Sequence, residues 1–356
     1  MSDFSQEILQ PWMLGGGPES DVILASRIRL ARNLAGVPFP NRNEAGELQK
    51  VMQTVCATKQ SLEREGQQYR IIAMEGLSPL ERSILVEKHL ISPHLVENFS
   101  NRAALIRSDA SVSIMVNEED HLRIQCMEPG LDLTKALANA DQVDNVLEET
   151  LTFAFSEQLG YLTACPTNVG TGMRASCMLH LPALVLTQQI NRIMGAVTQL
   201  GLAVRGIYGE GTETIGNIFQ VSNQLTLGYT EEEIVDRLSG VVLQLVGQER
   251  TARQMLFKQS EEALADRLWR AYGILRYART ITAKEALAKL SEVRLGVDMG
   301  IINGVDPSIF NELLVFTRPN YMSRKCQEQG VPAEARGQLR AAFIRNRLAQ
   351  NEGGNR

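Results

Sequence analysis

The feature that most constrains the fold of this chain is a change in hydrophobic periodicity along its 356 residues. Several segments between residues 22 and 227 alternate apolar with small or polar residues, a pattern typical of half-buried β-strands. Residues 112–116 and 122–126 alternate in this way on either side of the acidic turn Glu118-Glu119-Asp120. From Glu231 onward the spacing of apolar residues is helical. The pattern therefore predicts a sheet-containing region followed by a helical one.

The same periodicity predicts the remaining elements and three regions of the chain. Further strands are expected at residues 173–181, 202–207 and 219–227, and helices at 77–90 and 184–200. We divide the chain into a leader over 1–21, a domain over 22–252 that carries the candidate site residues, and a helical domain over 253–356. Many apolar helical positions in the last domain predict a dimerisation and regulatory role: Leu256, Leu264, Leu268, Leu275, Leu287 and Leu290.

Composition excludes several classes of function. Hydrophobic residues make up 44% and charged residues 22%, with a formal net charge of -5, so the surface is not built to attract nucleic acid or an anionic membrane. We expect no signal peptide and no membrane-spanning segment. The five cysteines include no C-x-x-C pair, and the four histidines show no zinc spacing. These features predict a cytoplasmic protein with reduced thiols and no protein-held metal.

Five arginines occupy strand-like or loop positions beside glycine-rich turns. Arg27 and Arg29 alternate with Ile28 and Leu30, and the others similarly stand next to apolar strand residues: Arg123, Arg174 and Arg205. A planar guanidinium suits phosphate oxygens because it donates two parallel hydrogen bonds. The P-loop and protein-kinase signatures are absent from the sequence. A lone arginine more often lies on a solvated strand face or in an ion pair, but five together favour a phosphate site.

Two carboxylates, a thiol and a histidine complete the candidate site. Glu119, His121 and Arg123 are two residues apart, so an extended strand would project all three to one face. Glu119 and Glu210 could clamp a guanidinium, and one of them could accept its proton, although acidic turn residues are usually only solvated. Cys165 is either a buried small hydrophobe or a thiolate stabilised by nearby cations. His94 either caps a loop or stacks on a base.

Four segments resemble the phosphagen (guanidino) kinases, the family that includes creatine and arginine kinases. They are Ser26-Arg27-Ile28-Arg29, the stretch from Asn117 to Arg123, the stretch from Cys165 to Ser176, and the stretch from Arg205 to Glu210. The resemblance implies an α+β fold in which helices flank an antiparallel sheet, of the glutamine-synthetase-like kind. It also implies phosphoryl transfer from ATP, with Mg²⁺ held by phosphate oxygens and water.

The resemblance implies roles at particular positions. Glu119 would be the catalytic carboxylate, Glu210 its partner on the guanidinium, and Cys165 the active-site thiol. The implied ATP-binding residues are Ser26, Arg27, Ile28, Arg29, His94, Arg123, Arg174, Ala175, Ser176, Cys177, Met178, Arg205, Gly206, Ile207, Tyr208 and Gly209.

The N-terminal end departs from the phosphagen kinases. The Ser26–Arg29 segment begins within the first thirty residues, so we expect the helical N-terminal domain that closes over a small guanidine to be missing. The chain is in this respect similar to bacterial protein-arginine kinases of the McsB type. That similarity implies phosphorylation of arginine residues in proteins, a role in stress response and protein quality control, a homodimer, a zinc-binding activator protein and a Clp-type protease as partners.

Two other functions remain open at this point. One is a small-molecule kinase acting on free arginine. The other is a silent module that binds phosphoarginine or nucleotide, which is disfavoured because both glutamates and all five arginines are present.

The segment from Arg336 to Ala341 is similar to an R-D-x-x-R-A pattern that forms an allosteric phosphoarginine pocket in protein-arginine kinases. Arg336 and Arg340 would share a helix face and grip one phosphate, but Gly337 stands where that pattern has aspartate. A basic, solvated terminal helix is the alternative.

Overall fold

The computed structural model describes residues 9–42, 44–64, 66–206 and 214–353. Ten strands are present in the described part of the chain, with these bounds: β1 Ile23–Arg32, β2 Tyr69–Ala73, β3 Ala103–Arg107, β4 Val112–Val116, β5 Leu122–Pro129, β6 Phe155–Ser156, β7 Gly160–Tyr161, β8 Met173–His180, β9 Leu202–Gly206 and β10 Ile218–Asn223.

Eight of these strands form one sheet in the order β2-β3-β4-β5-β1-β8-β10-β9, and β6 pairs with β7 in a separate hairpin. Every pairing in the large sheet is antiparallel. Helices flank this sheet, so the predicted α+β architecture is confirmed.

The helices follow the periodicity closely but not everywhere. Their bounds are α1 Ala45–Ala57, α2 Lys59–Leu62, α3 Pro79–Glu87, α4 Pro93–Glu97, α5 Leu133–Glu148, α6 Pro182–Leu186, α7 Ile190–Gln199, α8 Glu231–Gln259, α9 Glu261–Tyr277, α10 Ala283–Asp298, α11 Ser308–Phe316, α12 Pro319–Gln329 and α13 Arg336–Gly353. The single helix predicted over 184–200 was wrong. It is divided at Gln188, which has φ 58, a left-handed conformation that a continuing helix cannot accommodate.

The two faces of the sheet are covered differently. On one face, Ile28, Leu30, Ile124 and Ala175 lie in a core shared with helices α5 and α8. The other face is covered in two places. Ala25, Met127, Met178 and Ile218 pack into a second core with the C-terminal helices, for example against Leu287 of α10. Ala104, Ile106 and Met115 of β3 and β4 pack into a third core with α3 and α4. Neither core extends over the other end of β1, β5 and β8, which carries the arginines described below.

The helical region is joined to the sheet through buried contacts. Trp12, from the predicted leader, is fully buried, and Asn311 of α11 donates to its carbonyl oxygen at 3.0 Å. Arg253 lies inside the continuous helix α8 and pairs with Asp21 at 3.1 Å. The predicted boundary at 252 therefore falls within a helix, and the division into domains stays a prediction.

The C-terminal leucines on which the prediction of a dimer rested lie mostly inside the protomer. Leu264, Leu268, Leu275, Leu287 and Leu290 are all buried in the core of the protomer itself. They therefore provide no free face for a second copy, and a dimer needs other residues.

Candidate active site

Strand register places the arginines on one face of the sheet. Arg29 on β1 lies opposite Arg174 on β8, and Arg123 on β5 lies opposite Ala31. Arg205 on β9 lies opposite Gln220 on β10. Side chains alternate between the faces of a strand, so the apolar neighbours of these arginines point into the opposite core. The expectation that Arg27 and Arg29 face away from Ile28 and Leu30 is confirmed.

The arginines line a cleft of ≈ 200 Å³ at the uncovered end of that face. Its lining combines Arg29, Arg123, Arg174 and Arg205 with Glu119 and Cys165, together with Ala31, Thr167, Asn168, Gly172 and Gln220. The structure thus brings together four predicted cations, one predicted carboxylate and the predicted thiol. Arg27 lies next to the cleft and donates to Gln220 Oε1 at 2.8 Å and Ser176 Oγ at 3.3 Å.

Among the residues that the structure describes, four arginines of the cleft stand against the carboxylates of Glu118 and Glu119. Burial holds the pKa of Arg29 well below its ordinary value, and the neighbouring Arg27, Arg123 and Arg174 lower it further. The pKa of Arg174 is lowered by burial and then by Arg205 and Arg123. Within the described part of the chain, the Nε atoms of Arg29 and Arg174 are buried without a hydrogen-bond partner. Such converging, under-satisfied donors fit a polyanion, because bound phosphate oxygens would supply both the acceptors and the negative charge.

A pair of glutamates fixes Arg123 in the cleft. Glu118 is buried and lies 2.6 Å from Arg123 Nη1, while Glu119, with a side chain 41% exposed, accepts from Arg123 Nη2 at 2.8 Å. Ser92 Oγ donates to Glu118, and the backbone N–H of Glu119 donates to Glu118 Oε2 at 3.0 Å. Sequence reasoning missed Glu118. Glu118 lies in the Asn117–Arg123 segment that resembles the phosphagen kinases, so the sequence did point to this region. It could not distinguish Glu118 from Glu119, because the two differ in burial.

A buried carboxylate anchors the loop that holds Cys165. Asp120 Oδ1 accepts from Asn33 Nδ2 at 2.7 Å and from the backbone N–H of Ala164 at 2.6 Å. Burial raises the pKa of Asp120, while these two donors oppose that rise. Cys165 is partly exposed, and its Sγ lies 3.0 Å from Thr167 Oγ1. This exposure disfavours the buried small hydrophobe, and the thiolate stays a prediction.

His121 does not join the cleft, contrary to the expectation from strand alternation. It is fully buried, its Nδ1 accepts from the backbone N–H of Leu34 at 3.1 Å, and Nε2 lies 3.0 Å from the carbonyl oxygen of Pro38. The preceding turn explains the difference. Asn117 has φ 56, and β5 begins only at Leu122. Residue 121 therefore lies outside the strand, and the rule that alternate residues share a face does not apply to it.

Two histidines lie near the predicted arginines, and the adenine contact of His94 stays a prediction. His94, at the start of α4, has a ring 49% exposed and lies 4.0 Å from Glu118. His89 instead borders a small recess beside Arg27, with Ala25, Met127 and Met178. The pKa of His89 is lowered to about 3, first by loss of hydration and then by Arg27 and Arg318. The recess is small and is also lined by Ser176 and Gln220, and the His89 ring packs edge-on against Trp12.

Several predicted nucleotide contacts have side chains that point away from the cleft. Ile28, Ala175 and Cys177 belong to the opposite core, and burial raises the pKa of Cys177 to about 12. Ser26 is also buried, where its hydroxyl donates to the carbonyl oxygen of Gly130 at 2.8 Å. Gly206 ends β9 beyond Arg205. Ile207, Tyr208, Gly209 and Glu210 lie outside the described residues.

The two arginines that were predicted to bind phosphoarginine, Arg336 and Arg340, lie on α13. Arg340 is buried and donates to the carbonyl oxygens of Thr317 at 2.7 Å and Ile281 at 2.9 Å. Arg336 is exposed and donates to Ala333 O at 2.9 Å. A Cβ at Gly337 would lie 2.5 Å from Thr280 Oγ1. Arg340 therefore has a structural role in this state, and the pocket stays a prediction.

Among the residues that the structure describes, no three His, Cys, Asp or Glu side chains converge as ligands of a metal ion. No helix in the described part of the chain is both long and apolar enough to cross a membrane.

Comparison with known proteins agrees with this geometry. Residues 50–252 match the family described as "ATP:guanido phosphotransferase, C-terminal catalytic domain", and residues 261–356 match "Protein-arginine kinase McsB C-terminal domain". The fold is similar to the crystal structure of lombricine kinase, with a TM-score of 0.58 and 25% identity over 67% of this chain and 68% of that one. The sheet and its arginine cleft thus define an ATP:guanido phosphotransferase.

Full-length relatives narrow the class further. The chain is 50% identical over 345 residues to the protein-arginine kinase of Halalkalibacterium halodurans, covering 97% of each chain. It is 51% identical over 357 residues to that of Bacillus licheniformis, covering 100% of this chain and 98% of the relative. The chain belongs to the protein-arginine kinase family.

Proposed function

We propose that this chain transfers the γ-phosphoryl group of ATP to the guanidinium group of arginine residues in proteins. The observation that carries the proposal is the cleft that four arginines line together with Glu119 and Cys165. Cations supply the charge stabilisation that phosphoryl transfer needs, and a carboxylate supplies the base.

The cations hold the nucleotide in this proposal. Arg29, Arg123, Arg174 and Arg205 donate to the phosphate oxygens, and Mg²⁺ accompanies the nucleotide, held by those oxygens and water. His94, whose ring is 49% exposed and lies 4.0 Å from Glu118, is the predicted neighbour of the adenine.

The acceptor guanidinium lies between Glu119 and the thiol. A guanidinium nitrogen attacks the γ-phosphorus, the bond from that phosphorus to the β,γ-bridging oxygen breaks, ADP leaves, and Glu119 accepts the proton from nitrogen. Glu119 can turn to the substrate because Glu118 continues to pair with Arg123. Glu210 is the predicted second carboxylate on the guanidinium, and Cys165 is the predicted thiol beside it.

The acceptor side of the cleft is accessible to a side chain carried by another protein. Glu119 is 41% exposed, Cys165 is partly exposed, and Arg205 is exposed at the edge strand. A protein-borne arginine can therefore reach the site without being enclosed.

The test is incubation with Mg-ATP and an unfolded, arginine-rich protein, followed by mass spectrometry under non-acidic conditions because the P–N bond is acid-labile. The expected result is phosphate on arginine, which the Glu119→Gln variant fails to add. Phosphate only on serine or threonine, or turnover only of free arginine, would contradict the proposal.

We infer a homodimer from exposed apolar residues on α8 and α9 rather than from the buried leucines. Trp269 is 47% exposed and stacks edge-on against Tyr272, while Tyr277 is 74% exposed and Met255 43%. Large exposed aromatic residues of this kind are typical of interfaces. Stress response, a zinc-binding activator, a Clp-type protease and a cytoplasmic location stay predictions from the family resemblance.

A further inference from the structure

Exposed apolar side chains lie beside the loop that forms the acceptor end of the cleft. Leu225 is 59% exposed and Leu227 54% exposed, and Thr226 between them is buried. Thr226 Oγ1 lies 2.6 Å from the carbonyl oxygen of Val169 and 3.0 Å from that of Thr167. Because Thr167 lines the cleft, the exposed leucines directly adjoin the catalytic loop.

Leu225 also lines a shallow groove at the edge of the sheet. We call it the β9 groove and define it by Leu200, Leu202, Leu225 and Tyr229, which share its lining with Asn223 and Arg237. Leu200 is 53% exposed, and the Arg237 guanidinium lies 4.7 Å from the centre of the Tyr229 ring. The groove therefore offers an apolar floor that solvent can reach.

Strand β9 connects this groove to the cleft. Leu202 lines the groove, and Arg205, three residues later on the same strand, lines the cleft on the opposite face of the sheet. An extended peptide along the strand edge also projects side chains three residues apart to opposite faces, so it can place one in each site. At the rise of a β-strand the two positions are roughly 10 Å apart, the length of about three residues of an extended peptide. β9 is the last strand of the sheet and pairs only with β10 among the described residues, so its outer edge can accept an extended chain.

We propose that the β9 groove is a docking site for the substrate polypeptide, where an apolar side chain about three residues from the acceptor arginine binds. The inference rests on the proposed function and adds a substrate class, namely extended segments in which arginine has a large aliphatic neighbour at that spacing. Such residues are buried in folded proteins and become accessible when a protein unfolds. The groove therefore selects unfolded over folded substrates.

The position of the β9 groove next to the cleft favours a substrate polypeptide as the molecule that binds there. When an arginine of a substrate protein is bound in the cleft, the residues that flank it lie within a few ångströms of the catalytic loop. Leu225 and Leu227 are exposed at that loop and can contact these flanking residues. A second copy of the chain is the competing occupant, and the experiment below distinguishes it.

The test compares two peptides that contain a single arginine, one with leucine three residues away on both sides and one with serine at those positions. Initial rates of arginine phosphorylation give kcat/KM for the wild-type chain and for Leu225→Ser. Leu14→Ser is the matched control, because Leu14 is 58% exposed but lies in the N-terminal segment that adjoins α11.

The wild-type chain is expected to favour the leucine peptide by about tenfold in kcat/KM, mainly through KM, since one apolar side chain is discriminated to that extent. Leu225→Ser should abolish the preference and leave the serine peptide unchanged, which also shows that the variant is folded. Leu14→Ser should keep the preference.

Equal rates for the two peptides with the wild-type chain, or a preference that survives in Leu225→Ser, would overturn the docking site. Loss of self-association in Leu225→Ser by sedimentation, with the preference intact, would assign the groove to a second copy instead. Failure of the proposed function would look different, because the wild-type chain would then phosphorylate neither peptide on arginine.

Discussion

Replacing Gly172 with alanine tests whether the backbone beside Arg174 is as constrained as the structure indicates. Gly172 has φ +67, and a Cβ there would lie 2.6 Å from Arg32 Nη1 and 2.7 Å from the carbonyl oxygen of Ala31. Neither neighbour can move freely. The backbone N–H of Ala31 donates to Gly172 O at 2.9 Å, and Arg32 is held by Asp144 at 2.7 Å.

Two costs combine at this position. A non-glycine residue in the left-handed region costs about 1–2 kcal/mol, and overpacking a well-filled site costs about 1–3 kcal/mol. We therefore expect Gly172→Ala to reduce the free energy of unfolding by about 3 kcal/mol. Gly300 provides the control, because it has φ +70 and a Cβ added there would meet no atom within 4 Å, so Gly300→Ala should cost only about 1 kcal/mol.

The assay is urea unfolding of both variants beside the wild-type chain, with kcat/KM for arginine phosphorylation as a second readout. Gly172→Ala should also lose activity, because Arg174 is only two residues away, whereas Gly300→Ala should retain it. Equal destabilisation by the two substitutions would refute the reasoning, since it would mean that the Ala31 and Arg32 contacts relax without cost.

Four further predictions concern the site, its pH dependence and the assembly. Glu119→Gln should lower kcat by about 10²–10⁴-fold with ATP affinity little changed, and a wild-type rate would remove Glu119 from the mechanism. Arg174→Lys should recover only part of the activity lost in Arg174→Ala, because a point charge lacks the bidentate fork; full recovery, measured as kcat/KM, would indicate generic surface charge. Burial lowers the pKa of His121 to about 4 from an ordinary 6.5, so its contribution to stability is complete above pH 6.5 and is lost as the pH falls toward 4. Unfolding titrations should show a wild-type loss of about 3 kcal/mol across that window relative to His121→Gln, and parallel curves would contradict it. Trp269→Ser should shift the chain toward monomer in sedimentation at micromolar concentration, and a wild-type chain that is already monomeric would refute the dimer.

Much of the cleft could be predicted from local sequence because side-chain alternation is a local property. In β1 and β8, the arginine side chains face away from Ile28 and Ala175 whatever the rest of the molecule does, so their common face followed from spacing. Where the backbone left the extended conformation, the same reasoning failed. The left-handed Asn117 displaced His121 from the face that its parity indicated.

The sequence by itself therefore determined the antiparallel strands, the family and the residues that could hold phosphate. Tertiary structure alone decided which of several similar residues became buried and which stayed accessible. It buried Glu118 and left Glu119 accessible, brought His89 rather than His94 beside Arg27, and turned the C-terminal leucines into the core of the protomer. The reason is physical: periodicity fixes which way a side chain points, but burial depends on which distant segment covers that face.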